Sequence, residues 1–284
     1  MSWTSTFCWS GEDAMWVSMR EIFALARPGK FALAAFHASN LEQVQAVMGA
    51  SLETKSPAII AFDESAAIYA GLAPFLAMSR ELALEFPSPV AVQLDHVHDL
   101  DLIETGVARG VSGVVYDPRD DQGDEGRERM KSVRRMCESA GAWFEIEVRG
   151  SEGASGRTAE EMVRLARAVR PDGVCLALRP SEREKPGGEL FSLAELLRCE
   201  AGALVSVAGA GSWPEAAVQR AVAAGVWKIS VGSRLNQAFT DGLRGYLESF
   251  PERILPRSYL GAARDSARLA AAECIRAFGS ADSY

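Results

Sequence analysis

Eight short β-type runs, set among stretches with helical periodicity, most narrow what this chain can fold into. The first four are F-A-L-A-A-F (31–36), A-I-I-A-F-D (58–63), V-A-V-Q-L-D (90–95) and G-V-V-Y-D (113–117). The next four are W-F-E-I-E-V (143–148), G-V-C-L-A-L (173–178), A-L-V-S-V-A-G (203–209) and V-W-K-I-S-V-G (226–232). Amphipathic stretches such as 41–53, 159–169 and 234–250 lie between or after them. Eight β-α alternations predict an α/β architecture, a (β/α)8 TIM barrel. The competing doubly wound sheet would carry G-x-G-x-x-G after its first strand, and that turn is absent. Residues 14–29 are expected to form an N-terminal helix closing the bottom of the barrel. Residues 259–279 should form an extra C-terminal helix on its outside or on a partner subunit. With no linker or low-complexity tract, 1–284 reads as a single domain, of which 1–14 is a loosely packed extension.

Composition excludes several functions. A net charge of −8 and a pI near 5.1 argue against a nucleic-acid partner, which needs a basic stripe. They leave room for a small anionic ligand, because backbone amides can hold phosphate inside an acidic protein. The five cysteines are odd in number and scattered without C-x-x-C spacing, a pattern of reduced thiols in a cytoplasm. No signal peptide and no membrane span is expected.

In a barrel of this type chemistry sits at the C-terminal ends of the strands. That rule gathers His37, Asp63, Glu64, Asp95, His96, Asp117, Glu147, Arg179 and Ser230–Ser233 at one mouth. So many acids together are costly unless a cation, a ligand or protonation relieves them. Asp95 with His96, in Q-L-D-H-V-H-D, reads as an acid-base group beside a metal ligand or a second acid-base group. A structural hydrogen bond at a strand end is the plainer alternative. His98 should point away and be solvated. Lys228 faces inward one layer deeper, where a structural pair with Glu145 is preferred over a Schiff-base lysine. Gly209, Gly211 and Ser212, the last as an N-cap, and then Ser230, Gly232 and Ser233 read as a phosphate cradle or as plain helix caps. Arg179 and Arg183 suit a carboxylate or phosphate clamp, or simply an exposed loop. The loop 151–157, rich in Gly and Ser, reads as a mobile lid.

Several stretches in order carry a resemblance: A-A-F-H-A-S-N-L-E (34–42), Q-L-D-H (93–96), F-E-I-E-V-R-G (144–150), A-G-A-G-S (208–212), G-V-W-K-I-S-V-G-S (225–233) and F-G-S-A (278–281). Together they resemble the class II, zinc-dependent ketose-bisphosphate aldolases, over roughly residues 15 to 281. The resemblance implies carbon–carbon lyase chemistry with Asp95 as acid-base, His96 as a zinc ligand and Glu147 near the metal. The family's second zinc histidine falls on Glu182, and its third on Ala208. Two of the three zinc histidines are therefore missing. His96, Glu147 and Glu182 would suit zinc, manganese or magnesium; a metal-free site is the alternative. His37, Asp63 and Ser230 also stand where relatives carry asparagine, a small hydroxyl and asparagine.

The expectation is a diverged aldolase-like enzyme for a phosphorylated or otherwise anionic sugar-like substrate, working as a homo-oligomer. A metal-free lyase, isomerase or cyclising enzyme using His37, Asp63 and Asp95 is the second reading. A non-catalytic barrel that binds a sugar phosphate is the third.

Overall fold

The computed structural model describes residues 16–26, 31–119, 123–149, 157–183 and 186–284. The loosely packed extension expected at 1–14 lies outside the described residues, as does most of the lid expected at 151–157. Strands β1 (Leu33–His37), β2 (Ala58–Phe62), β3 (Val90–Val97) and β4 (Gly113–Tyr116) are followed by β5 (Trp143–Arg149), β6 (Gly173–Ala177), β7 (Leu204–Ala208) and β8 (Val226–Val231). All pair in parallel and in sequence order, and β8 returns to β1, closing an eight-stranded barrel.

The helices are α1 (Met19–Ala26), α2 (Leu41–Thr54), α3 (Glu64–Ala70), α4 (Leu72–Glu85), α5 (Leu100–Ala108) and α6 (Gly123–Ser139). They continue as α7 (Ala159–Val169), α8 (Gly188–Leu196), α9 (Glu215–Ala223), α10 (Ser233–Ser249) and α11 (Pro256–Ala277). The crossover after β2 carries two helices, because Gly71 at φ 75° breaks what would otherwise be one long segment.

Alternation along each strand sorts side chains into an outer set packed under the helices and an inner set stacked in layers. The lowest layer is apolar. Leu33, Ala35, Ile59, Ala91, Trp143 and Trp227 meet Val17, Met19 and Ile22 there, and the Phe23 ring sits 5.4 Å from Trp143 and 5.1 Å from Trp227. The N-terminal helix thus closes the bottom, as its sequence implied.

The next layer is polar and wholly buried. Lys228 Nζ donates to Glu145 Oε1 at 2.7 Å and to Gln93 Oε1 at 2.9 Å, while Trp143 Nε1 and Ser206 Oγ also donate to Glu145. Lys228 and Glu145 both have fully buried side chains, so the lysine is held as a structural partner beneath the mouth.

The C-terminal helix lies outside the barrel against α2 and α10. Its alanine face, Ala263, Ala267 and Ala270 to Ala272, is buried within the chain. The backbones of α10 and α11 approach so closely that a Cβ on Gly242 would stand 2.9 Å from the Ala262 carbonyl oxygen. Among the described residues no helix is long and apolar enough to cross a membrane.

Candidate active site

The mouth is built by parity and by one departure from it. Inward positions run 33, 35, 37 on β1 and 143, 145, 147, 149 on β5, so His37, Glu147 and Arg149 reach the top layer without distortion. On β3 the inward set 91, 93, 95 ends on Asp95, and strict alternation would send His96 outward. Register with β4 slips between Leu94 and Val97, so Asp95 and His96 together oppose one residue, Val115. This β-bulge, with His96 at φ 56°, turns the His96 ring to the mouth while Val97 returns to the outer core. A non-glycine residue held at positive φ carries backbone strain of a kind that concentrates at functional sites.

These side chains form an alternating chain of acids and bases. His37 Nδ1 lies 3.8 Å from Asp63 Oδ2, and His37 Nε2 is hydrogen-bonded to Asp95 Oδ2 at 2.9 Å. His96, its ring centroid 5.5 Å from that of His37, bonds through Nδ1 to Glu147 Oε2. Glu147 Oε1 accepts from Arg149 Nη2 at 2.6 Å, and Arg149 grips Asp117 in a bidentate pair at 2.9 and 3.0 Å. Asp95 is completely buried. Its Oδ2 also accepts from Ser230 Oγ at 3.3 Å, while its Oδ1 has no hydrogen-bond partner among the described residues.

Burial alone would lower the pKa of His96. The charge on Asp95, the hydrogen bond and charge of Glu147 and the charge on Asp117 outweigh it and push the group up to about 9. His37 is likewise raised, against burial, by its contacts with Asp63 and Asp95. Burial opposes the charged form of Asp95, yet His96, His37 and Lys228 hold it well below the usual carboxylate range. The acids of the mouth are therefore answered by cations of the same chain.

A pH dependence follows. The folded state binds the His96 proton more tightly than the unfolded chain, where the reference value is 6.5. The resulting stabilisation is complete below pH 6.5 and is lost as pH rises through about 9. Because 31% of the side chain is exposed, solvent screening reduces the loss to roughly 1–3 kcal/mol. Urea midpoints measured across that window should fall, and the fall should shrink in His96→Gln.

The cavity above this chain measures about 550 Å³. His37, Asp63, His96 and Glu147 line its floor; Gly209, Ser230, Gly232 and Ser233 one wall; Arg149, Arg179 and Arg183 another. Gly209, at φ 89°, lies under the Arg183 side chain, an angle that side-chain-bearing residues rarely adopt. The α10 N-terminus, with Gly232 as its cap, has no side-chain hydrogen bond to its first amides. Asn236 on the first turn of α10 accepts from Gln43 Nε2 at 2.7 Å and also lines the cavity.

Several sequence expectations are corrected. Helix α9 begins two residues later than expected, with Pro214 as N-cap in place of Ser212, and Ser212 is exposed away from the cavity. Gly211 does not line it either: a Cβ there would meet Val231 at 2.9 Å, so this glycine serves packing. Glu182 faces a neighbouring pocket, where Arg179 takes both its carboxylate oxygens at 2.6 and 3.0 Å. His98 does point away from the mouth but is half-buried, donating to the Asp117 carbonyl at 3.0 Å and stacking on Tyr116. Arg149 lines the mouth as well, bonded to Glu147 and Asp117, and the sequence expectations did not include it. Continuing the inward parity of β5 by one step finds it.

The donor set does not fit the zinc site that the resemblance implied. Only His96 offers an imidazole at the expected positions; Ala208 is a methyl group and Glu182 is committed to Arg179. One tighter group exists, in which His37, Asp95 and His96 each bring a ligand atom within 4.8 Å of the others. It is already knit by the direct His37–Asp95 hydrogen bond.

Known proteins share this architecture. The YdjI aldolase from Escherichia coli K12 superposes with a TM-score of 0.79 at 20% identity, covering 94% of this chain and 98% of that one. Fructose-bisphosphate aldolase from Campylobacter jejuni gives a TM-score of 0.78 at 16% identity, covering 94% and 96%. At such identities these likenesses speak for the fold alone. The sequence profile of class II fructose-bisphosphate aldolase, however, matches residues 17–283. A match over nearly the whole chain, with Asp95, His96 and Glu147 on one mouth, places this protein in the class II fructose-bisphosphate aldolase family, a family of carbon–carbon lyases.

Proposed function

We propose that this chain makes or breaks a carbon–carbon bond in a phosphorylated or otherwise anionic sugar-like substrate by aldol chemistry. The observation that carries this reading is Asp95: a fully buried carboxylate with one oxygen held by His37 and Ser230 and the other unpartnered, just under the cavity floor. In the cleavage direction Asp95 accepts the proton of the hydroxyl on the carbon that becomes the aldehyde. The electron pair of the breaking bond moves toward the neighbouring carbonyl, whose oxygen takes a proton from the His96 imidazolium to give an enediol. His37, bonded to Asp95 and next to Asp63, supports the buried carboxylate from the other side.

The anionic group of the substrate is assigned to the wall formed by Gly209, Ser230, Gly232 and Ser233. The uncapped amides of α10 and the helix dipole favour negative charge there, and Arg179 and Arg183 add a positive rim.

Retro-aldol cleavage of a panel of phosphorylated ketoses, followed through the released aldehyde with a coupled dehydrogenase, tests the reading. At least one phosphorylated ketose should be cleaved, and its unphosphorylated counterpart far more slowly. Folded protein that cleaves none of them, with or without divalent ions, overturns it.

A further inference from the structure

The mouth poses a problem of charge. Four carboxylates stand at this mouth, Asp63 and Glu147 lining the cavity and Asp95 and Asp117 behind it, three of them with nearly or wholly buried side chains. A site with the family's ligands would answer them with a metal on three imidazoles, and this chain carries only His96 at those positions. We infer that no divalent ion works at this mouth, and that the His96 ring, bonded to Glu147 with Arg149 behind and with Asp95 within 4.8 Å, is the fixed cation that faces the substrate oxygen.

Three independent features of the geometry support this. First, the lost ligands have not been replaced in place. Ala208 offers no donor, and Glu182 is turned outward onto Arg179. Second, both oxygens of Glu147 are already engaged. One oxygen is bonded to His96 Nδ1 and the other to Arg149, whose guanidinium also grips Asp117. An incoming ion would have to compete with the bidentate Arg149 pair for Asp117, and with Arg149 or His96 for Glu147. Third, the positive charge is already distributed where the acids need it. His37 stands between Asp63 and Asp95, and Arg149 between Glu147 and Asp117, while His96 is bonded to Glu147 with Asp95 within 4.8 Å.

An imidazolium can do part of what a Lewis-acidic metal does. It presents a preorganised donor to an oxygen on which negative charge develops, inside a site whose dipoles are already oriented. It can also transfer its proton, which a metal cannot, so the product of cleavage is the neutral enediol and His96 is left as free imidazole. Tautomerisation of the enediol to the ketone closes the cycle: its carbon takes the proton that Asp95 acquired, and its hydroxyl proton returns to the His96 imidazole. This catalytic role for His96 rests on the lyase reading; the absence of a working ion does not.

The test uses the intact chain. Protein dialysed against an excess of zinc, manganese or magnesium is passed through a desalting column and its metal content measured. In parallel, the ring nitrogens of the three histidines are followed by ¹⁵N NMR during a zinc titration. Metal well below one ion per chain, with His37 and His96 signals unmoved by zinc, is the expected result. One ion per chain, with both signals shifted, overturns the inference and assigns the ion to the His37, Asp95 and His96 group. Where a cleavable substrate is found, chelator-treated protein should keep its full rate, and a rate lost to chelator and restored by metal overturns the inference as well. His96→Gln should then reduce kcat about 10²- to 10³-fold with KM little changed; an unchanged kcat removes His96 as the cation. If no substrate is cleaved, the ion and NMR measurements still decide the metal question, and only the lyase reading fails.

Discussion

Lys228→Met should cost about 3–5 kcal/mol of folding free energy, the penalty of leaving a buried carboxylate without its counter-ion. Lys228 and Glu145 lie in the sealed polar layer between the apolar base of the barrel and its mouth, both with fully buried side chains. Removing the ammonium takes a donor from both Glu145 Oε1 and Gln93 Oε1, and leaves Glu145 Oε1 with the Trp143 Nε1 bond but no counter-ion. Methionine fills much of the same volume, so the loss measures charge and hydrogen bonding more than a cavity. Glu145→Gln in the same chain should recover part of the loss, because a neutral amide does not need the ammonium to remain buried. Urea unfolding of the single and double variants reads both effects. A Lys228→Met protein within about 1 kcal/mol of the parent would mean that water reaches this layer, against the sealed barrel described above.

How much of this was legible in advance follows from what kind of pattern each feature rests on. The strands were readable because their apolar runs are bounded by turn residues, and eight such runs in alternation with helical periods leave few architectures. Positions such as His37, Asp95 and Glu147 were readable because strand parity and the barrel's polarity fix which ends face the mouth. The bulge that turns His96 inward is a register slip between β3 and β4, and a slip depends on two strands at once; one strand's pattern does not encode it. Glu182 misled for a related reason. Its side chain had two partners open to it, a metal at the mouth or Arg179 three residues away, and sequence does not rank a short-range ion pair against a distant one. Ser212 misled because Trp213 Nε1 donates to the Glu182 carbonyl and holds this loop down, which delays the start of α9 to Glu215.

Asp95→Asn should lower the rate of carbon–carbon cleavage by about 10²- to 10⁴-fold, the usual weight of a positioned proton acceptor. The amide nearly matches the carboxylate in shape, and its oxygen can still accept from Ser230, so the barrel should fold. What changes is charge. With Asp95 neutral, burial is opposed at His96 by Glu147 and Asp117 alone, and at His37 by Asp63 alone. The variant should therefore titrate His96 at a lower pH than the parent, and the stability loss expected between pH 6.5 and about 9 should move to lower pH. A structural role for Asp95 would predict loss of stability with a proportional loss of soluble enzyme, leaving the rate per folded chain unchanged. A catalytic role predicts the reverse: folded protein, KM nearly preserved, and kcat lost. Full kcat in a folded Asp95→Asn protein would move the proton acceptor elsewhere on the mouth, with Asp63 and His37 the nearest groups able to serve.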